Sequence, residues 1–269
     1  MNVRIRTALG IVFILAIASV CWASPQLIQG DQGDNFHWTG KLPAEKVVEI
    51  KNVNGEIEVE GVAGDQIEIN AVKSGRDRAE VKIELIQTAD GITVCAVLPG
   101  NSCESGSNWS THSHGDHQWR VDFTVRVPKN LRVTARNVNG KVRAEDLGRY
   151  VDASSVNGSL DVSTSSYARG SSVNGGVRVR MGRTDWPGTL KLSSVNGSVE
   201  LDVPADLNAD VHFSSVNGSL DTDFPLTIEG NTTFGPKNIR GRIGSGGREL
   251  DVSTVNGSLH IRKGGTAGM

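Results

Sequence analysis

Three imidazoles and a carboxylate fall within six residues: His112, His114, Asp116 and His117. Neutral imidazole and carboxylate are ligands for Zn²⁺ and Cu²⁺, so this cluster could hold either ion. Its spacing matches no established zinc signature. It also lies in a polar loop rich in Gly and Ser, residues 99–118, which must lose conformational entropy to assemble a site. A solvated, flexible loop is the alternative reading. Trp109 and Trp119 flank the cluster and are suited either to contact a sugar or a protein, or to anchor the loop.

A second group of candidates is Asp161, Glu200, Asp202, Asp221 and Asp223. Polysaccharide-cleaving enzymes need paired carboxylates on one face. Here the carboxylates recur at repeat positions and interleave with Arg178 and Arg180, the pattern of a solvated surface. No set of nucleophile, base and orienting group stands out. The glycines follow Asn at turns rather than leading a strand into a helix, so no phosphate-cradling loop is expected. The sequence therefore predicts no catalytic residue and no cofactor.

The residues that must position any site are organised by a repeat. Val-Asn-Gly occurs seven times, with its asparagines at Asn54, Asn139, Asn157, Asn174, Asn196, Asn217 and Asn256. Three residues after Asn the position is always aliphatic: Ile57, Val142, Leu160, Val177, Val199, Leu220 and Leu259. Positions four and six before it are also largely apolar, as in Leu190 and Leu192 before Asn196. This alternation of period two marks half-buried strands on both sides of the motif. It slips between four before and one before Asn, which predicts a corner there with the Val facing inward. The long gap between Asn217 and Asn256 contains Ile239-Arg240-Gly241-Arg242-Ile243, read as a degenerate copy in register.

Asn-Gly is also a strong hairpin signal, and seven independent hairpins are one reading. A hairpin does not require the same side chain in every copy, whereas a stacked coil does. In a stack each repeat is one turn, neighbours lie ~4.8 Å apart, and the asparagines can bond along the stack. The position four after Asn supports stacking, because Arg143, Asp161, Arg178 and Glu200 alternate in sign. Each exposed pair is worth only ~0–1 kcal/mol, so its use is register rather than stability.

The chain begins with Arg4 and Arg6, an apolar run from Ala8 to Val20, and Ala23 at a suitable cleavage position. Residues 1–23 read as a signal peptide, too short in its apolar part for a comfortable membrane span. Of 28 basic residues two lie in that leader, leaving 26 against 30 acidic ones. That balance gives no electrostatic case for nucleic acid or an anionic membrane. No transmembrane segment is expected in the mature chain. Export permits a disulfide between Cys95 and Cys103, although spacing does not prove one and two separate thiols are the alternative. With 32 glycines and only six Phe, five Trp and two Tyr, the composition suits a thin core with many turns.

Repeated Thr/Ser-Val-Asn-Gly-x-Leu/Val-x-Val after a signal peptide resembles the bacterial putative-adhesin family of β-strand repeats. The resemblance covers roughly Val47 to Ile261. It implies an all-β, single-stranded parallel β-solenoid and no catalytic residues. Within it, residues 65–135 read as an insertion of antiparallel strands, with Asp90-Gly91 as a hairpin turn, capping the N-terminal end.

The expected organisation is thus a signal peptide (1–23), a lead-in (24–46), a β-solenoid adhesin-like domain (47–262) and a tail (263–269). The C-terminal strand near Leu259 to Arg262 is expected to be an exposed edge through which copies could associate. The functional reading is an exported scaffold or binding protein of the cell envelope, periplasmic or secreted, whose partner is an envelope protein or a glycan. A carbohydrate-active β-helical enzyme and a metal-binding envelope protein are the alternatives.

Overall fold

The computed structural model describes residues 25–30, 33–106, 118–229 and 237–264. Residues 1–24, the His112, His114, Asp116 and His117 cluster, Trp109 and residues 265–269 lie outside them. The described residues form two mixed sheets with mostly parallel strands. Their helical content is one 3-10 turn, Arg78–Glu80.

From the N-terminus come β1 (Gln26–Gln29), β2 (Asn35–Gly40), β3 (Val47–Lys51), β4 (Ile57–Val62) and β5 (Ile67–Ser74). Then follow β6 (Lys82–Thr88), β7 (Gly91–Val97), β8 (Arg120–Pro128), β9 (Arg132–Asn139) and β10 (Val142–Leu147). The central repeats give β11 (Val151–Asn157), β12 (Leu160–Thr164), β13 (Ala168–Asn174), β14 (Val177–Met181), β15 (Thr189–Asn196) and β16 (Val199–Val203). The last strands are β17 (Ala209–Asn217), β18 (Leu220–Thr222), β19 (Leu226–Glu229), β20 (Lys237–Ile243), β21 (Glu249–Asn256) and β22 (Leu259–Lys263).

Every Val-Asn-Gly unit joins a strand of the twelve-stranded sheet to one of the ten-stranded sheet. Each unit is therefore one rung with an arm in each sheet. Successive rungs pair in parallel and in register, so Asn157 stands between Asn139 and Asn174. The inward positions of both arms are apolar and close-packed, as at Val151, Ala153, Leu160 and Val162. Burying each Val or Leu contributes roughly 1.5–3 kcal/mol. The core is thin because small side chains from two facing arms fill it, and Trp186 adds bulk where the connection between β14 and β15 lengthens.

Three sequence expectations are corrected by the strands themselves. First, the alternation does not slip before Asn. It continues inward through the position two before, where Ser155, Ser172, Ser194, Ser215 and Thr254 are buried. A hydroxyl can sit there because it donates to a glycine carbonyl of the rung beside it, as Ser172 Oγ does to Gly158 O at 2.8 Å. The corner therefore falls after Asn, and the valines of five rungs face outward rather than inward: Val156, Val173, Val195, Val216 and Val255 are 37–51% exposed.

Second, Ile239–Ile243 is not a rung. It belongs to β20, which runs antiparallel to β17 and pairs antiparallel with β19 at the end of that sheet. Third, the C-terminal strand is not an edge. β22 lies between β16 and β18, and β21 between β15 and β17, so the Asn256 rung is inserted between the Asn196 and Asn217 rungs. The edges of the two sheets are β1 and β19, and β2 and β18.

The insertion is only partly antiparallel. β5 and β6 are, but β7 runs parallel to β3 and β8 parallel to β4, so the insertion itself contributes a rung. β1 and β2 then pair antiparallel with β6 and β5 at the outer end.

Candidate binding face

The asparagines of all seven rungs form one unbroken ladder. Asn139 donates to Asn54 at 2.7 Å, Asn157 to Asn139 at 2.7 Å, Asn174 to Asn157 at 2.7 Å and Asn196 to Asn174 at 2.8 Å. Asn256 continues it by donating to Asn196 at 2.9 Å, and Asn217 ends it by donating to Asn256 at 2.9 Å. An amide has both a donor and an acceptor end, so one residue type can satisfy its neighbours on both sides.

The glycine that follows is required by the same stacking. A Cβ on Gly158 would sit 1.9 Å from Gly140 O, and one on Gly257 2.0 Å from Gly197 O. Neither needs a positive φ. The Asn-Gly pair thus marks close backbone approach between rungs, not hairpin turns.

Beside the asparagines runs the row of outward valines, and beyond it a row of serines: Ser154, Ser171, Ser193, Ser253 and Ser214, in stacking order. Over these five rungs neither row carries a charge, and the serine row continues into Arg136 on the Asn139 rung. The next row outward is charged, with Asp152, Arg169, Lys191, Asp251 and His212 in order. The face therefore passes from amides through methyls and hydroxyls to an outer row of charges. Near its far end a groove of about 400 Å³ is bordered by Lys191, Asp210, His212, Arg240, Glu249 and Asp251.

On the ten-stranded sheet the candidate carboxylates are spread along the stack, and Asp161 and Glu200 pair with arginines. Arg178 Nε donates to Glu200 at 2.7 Å, Arg180 lies 2.9 Å from Asp161, and His260 Nδ1 is 3.5 Å from Asp221. Asp202 is in register with Arg262. In stacking order the position four after Asn reads Glu58, Arg143, Asp161, Arg178, Glu200, His260 and Asp221. No group of three or more potential metal ligands occurs among the described residues.

At the N-terminal end a buried polar knot escaped sequence reading. Lys51 is fully buried, donates to Glu104 O and Gly106 O, and lies 3.6 Å from Glu49. Burial pushes its ammonium pKa down, against the attraction of Glu49. Glu49 also accepts from Thr93 Oγ1 at 3.0 Å and approaches Arg136 at 3.6 Å. Cys95 and Cys103 are joined by a disulfide with a Cα separation of 5.6 Å, which fastens the segment that supplies those carbonyls. Trp119 is buried in the core, so it offers no surface for a sugar.

These features define an all-β protein whose stacked rungs present a laddered face. The chain belongs to the Toastrack DUF4097 family, whose model matches residues 39–262. Among solved structures, it is similar to a putative cell adhesion protein of Clostridium sporogenes, at 12% identity and a TM-score of 0.44, over 85% of this chain and 99% of that one. It is also similar to a putative adhesin of Bacteroides fragilis, at 11% identity and a TM-score of 0.34, over 87% of this chain and 98% of that one. The curated proteins contain no match. No helix among the described residues is long and apolar enough to cross a membrane.

Proposed function

We propose that this chain is an exported, non-enzymatic β-solenoid of the cell envelope that binds an envelope glycan or protein across its Ser-Val-Asn face. The observation that carries the reading is the continuous row of outward valines beside the asparagine ladder. Single exposed apolar residues are ordinary, but a contiguous row of them is the usual mark of an interaction surface. Methyls beside amides and hydroxyls suit a partner with alternating apolar and hydrogen-bonding groups, as sugar rings and extended peptides have.

The non-enzymatic reading is supported by the carboxylates, which alternate with Arg and His along the stack instead of facing one another across a cleft. The Cys95–Cys103 disulfide favours an oxidising compartment and so supports export of the mature chain.

The test is retention of the purified mature protein on envelope fractions and on insoluble cell-wall glycan. A Val156→Glu/Val195→Glu variant changes only outward positions, on rungs separated by the Asn174 rung, and is expected to keep the fold and lose retention. Equal retention of both proteins, or release of reducing ends from the glycan by the parent protein, would overturn the proposal.

A further inference from the structure

The C-terminal rung sits in a slot that its own charges match. If the Asn196 and Asn217 rungs touched directly, their shared register would set the carboxylates of Glu200 and Asp221 against each other. Like charges opposite each other on neighbouring strands are destabilising. The inserted rung removes this conflict. Asp251 stands between Lys191 and His212, and His260 between Glu200 and Asp221. Arg262 is in register with Asp202, and the Lys263 N–H donates to Asp223 at 3.1 Å. The asparagine ladder crosses the slot through Asn256 alone.

The slot is also two-sided in each sheet. It offers β15 and β17 to β21, and β16 and β18 to β22, so one segment gains ladders on four strands. Strand addition to exposed edges is a general mode of peptide recognition, and here both neighbours of the added strand are supplied. The segment is tethered to the fold by Ile243-Gly244-Ser245-Gly246-Gly247-Arg248. Gly244, Gly246 and Gly247 there have φ of 59°, 71° and 100°, a conformation suited to a hinge. Two side chains on the start of β17 and the connection before it hold this hinge. Asn208 Oδ1 accepts from Ser245 N at 2.8 Å, and Asp210 Oδ2 accepts from Gly247 N at 2.8 Å.

We propose that the slot between the Asn196 and Asn217 rungs is a docking site for the repeat Glu249–Lys263, and that the repeat of a second copy of this chain occupies it when two chains fold together. The contacts inside the slot are the same whichever chain supplies the repeat. Only the path of the glycine hinge differs, and that makes exchange between copies a low-cost route to a dimer.

Two variants of the mature chain, Ser193→Cys and Ser253→Cys, test this; Cys21 is left out with the leader. Positions 193 and 253 are cross-strand partners on the outward face, close enough for a disulfide once both are cysteine. The two variant chains are mixed, unfolded in urea with Cys95–Cys103 intact, refolded together and oxidised. Exchange predicts a disulfide-linked heterodimer, several-fold above either homodimer, in a fraction that rises with protein concentration during refolding. Homodimers as abundant as heterodimers, or no covalent dimer at any concentration, would overturn the proposal. Releasing the hinge with Asn208→Ala is expected to raise the heterodimer fraction in the same assay. A lower or unchanged fraction would count against the hinge.

Discussion

Asn256 donates its side-chain amide to Asn196 at 2.9 Å across 60 residues of sequence, while Asn217, the repeat that follows Asn196 in the chain, lies one rung further on. The order of rungs in space therefore differs from their order in sequence. Direct neighbours would have placed two carboxylates together at Glu200 and Asp221, and the inserted rung separates them with His260.

The ladder makes its own prediction. Asn174→Ala removes the bond given to Asn157 and the one received from Asn196. Both are exposed, and each such bond is worth about 0.5–1.5 kcal/mol net. Urea unfolding is expected to show a loss of roughly 1–2 kcal/mol with an unchanged m-value. A change below about 0.3 kcal/mol would mean that the ladder is ornamental to stability.

Gly158→Ala separates stacking from hairpin chemistry. In a hairpin the glycine serves a positive φ, and Gly158 has none. In the stack an added Cβ meets Gly140 O at 1.9 Å, so backbone must move. The expected cost is at least ~3 kcal/mol, the upper range for overpacking, seen as a large fall in Tm. Gly64→Ala meets no atom within 4 Å and differs only in its φ of 103°, so it is expected to cost about 1 kcal/mol. Equal effects at the two sites would contradict the stacking account.

Lys51→Ala leaves Glu49 buried with one cation fewer and empties the space under Glu104 and Gly106. Removing one partner of a buried pair costs about 3–5 kcal/mol, partly offset here by Arg136. A loss of roughly 3 kcal/mol in denaturant unfolding is expected. A double change, Lys51→Met with Glu49→Gln, is expected to recover part of that loss.

Much of this architecture was legible because it repeats. Period-two alternation around Asn gave the strands and the parallel stack, and the invariant Asn gave the ladder. What misled was polarity at the position two before Asn. Ser155 and its equivalents look like corner residues, yet they are buried strand residues whose hydroxyls find glycine carbonyls. Reading them as corners turned Val156 inward when it faces solvent. The inserted rung left a trace in the sequence: the sign alternation at four after Asn breaks between Glu200 and Asp221, the two positions that His260 separates in space. The Lys51 knot left none, since Thr93, the Glu104–Gly106 segment and Arg136 come from three places distant from Lys51 in the chain.

Acid is expected to loosen the hinge. The Gly247 N–H, and then Arg242, hold the Asp210 carboxyl below the usual carboxylate range. A depressed folded-state pKa means stabilisation that is present above the unfolded value of about 4 and is lost as pH falls through the folded one. The Gly247 amide resonance should therefore titrate below pH ~4, and Asp210→Asn should abolish that titration. An inflection well above pH ~4 would contradict the assignment.

The rung order is tested most directly by paired cysteines in the folded monomer. In Ser193→Cys/Ser253→Cys the two positions are cross-strand neighbours. In Ser193→Cys/Ser214→Cys they are separated by the inserted strand, about 9–10 Å apart at one strand spacing per step. Dilute native oxidation, read by peptide mapping, is predicted to close the first pair within the chain and leave the second open. Closure of 193 to 214, with 253 left free, would show that the Asn196 and Asn217 rungs touch and would contradict the inserted rung.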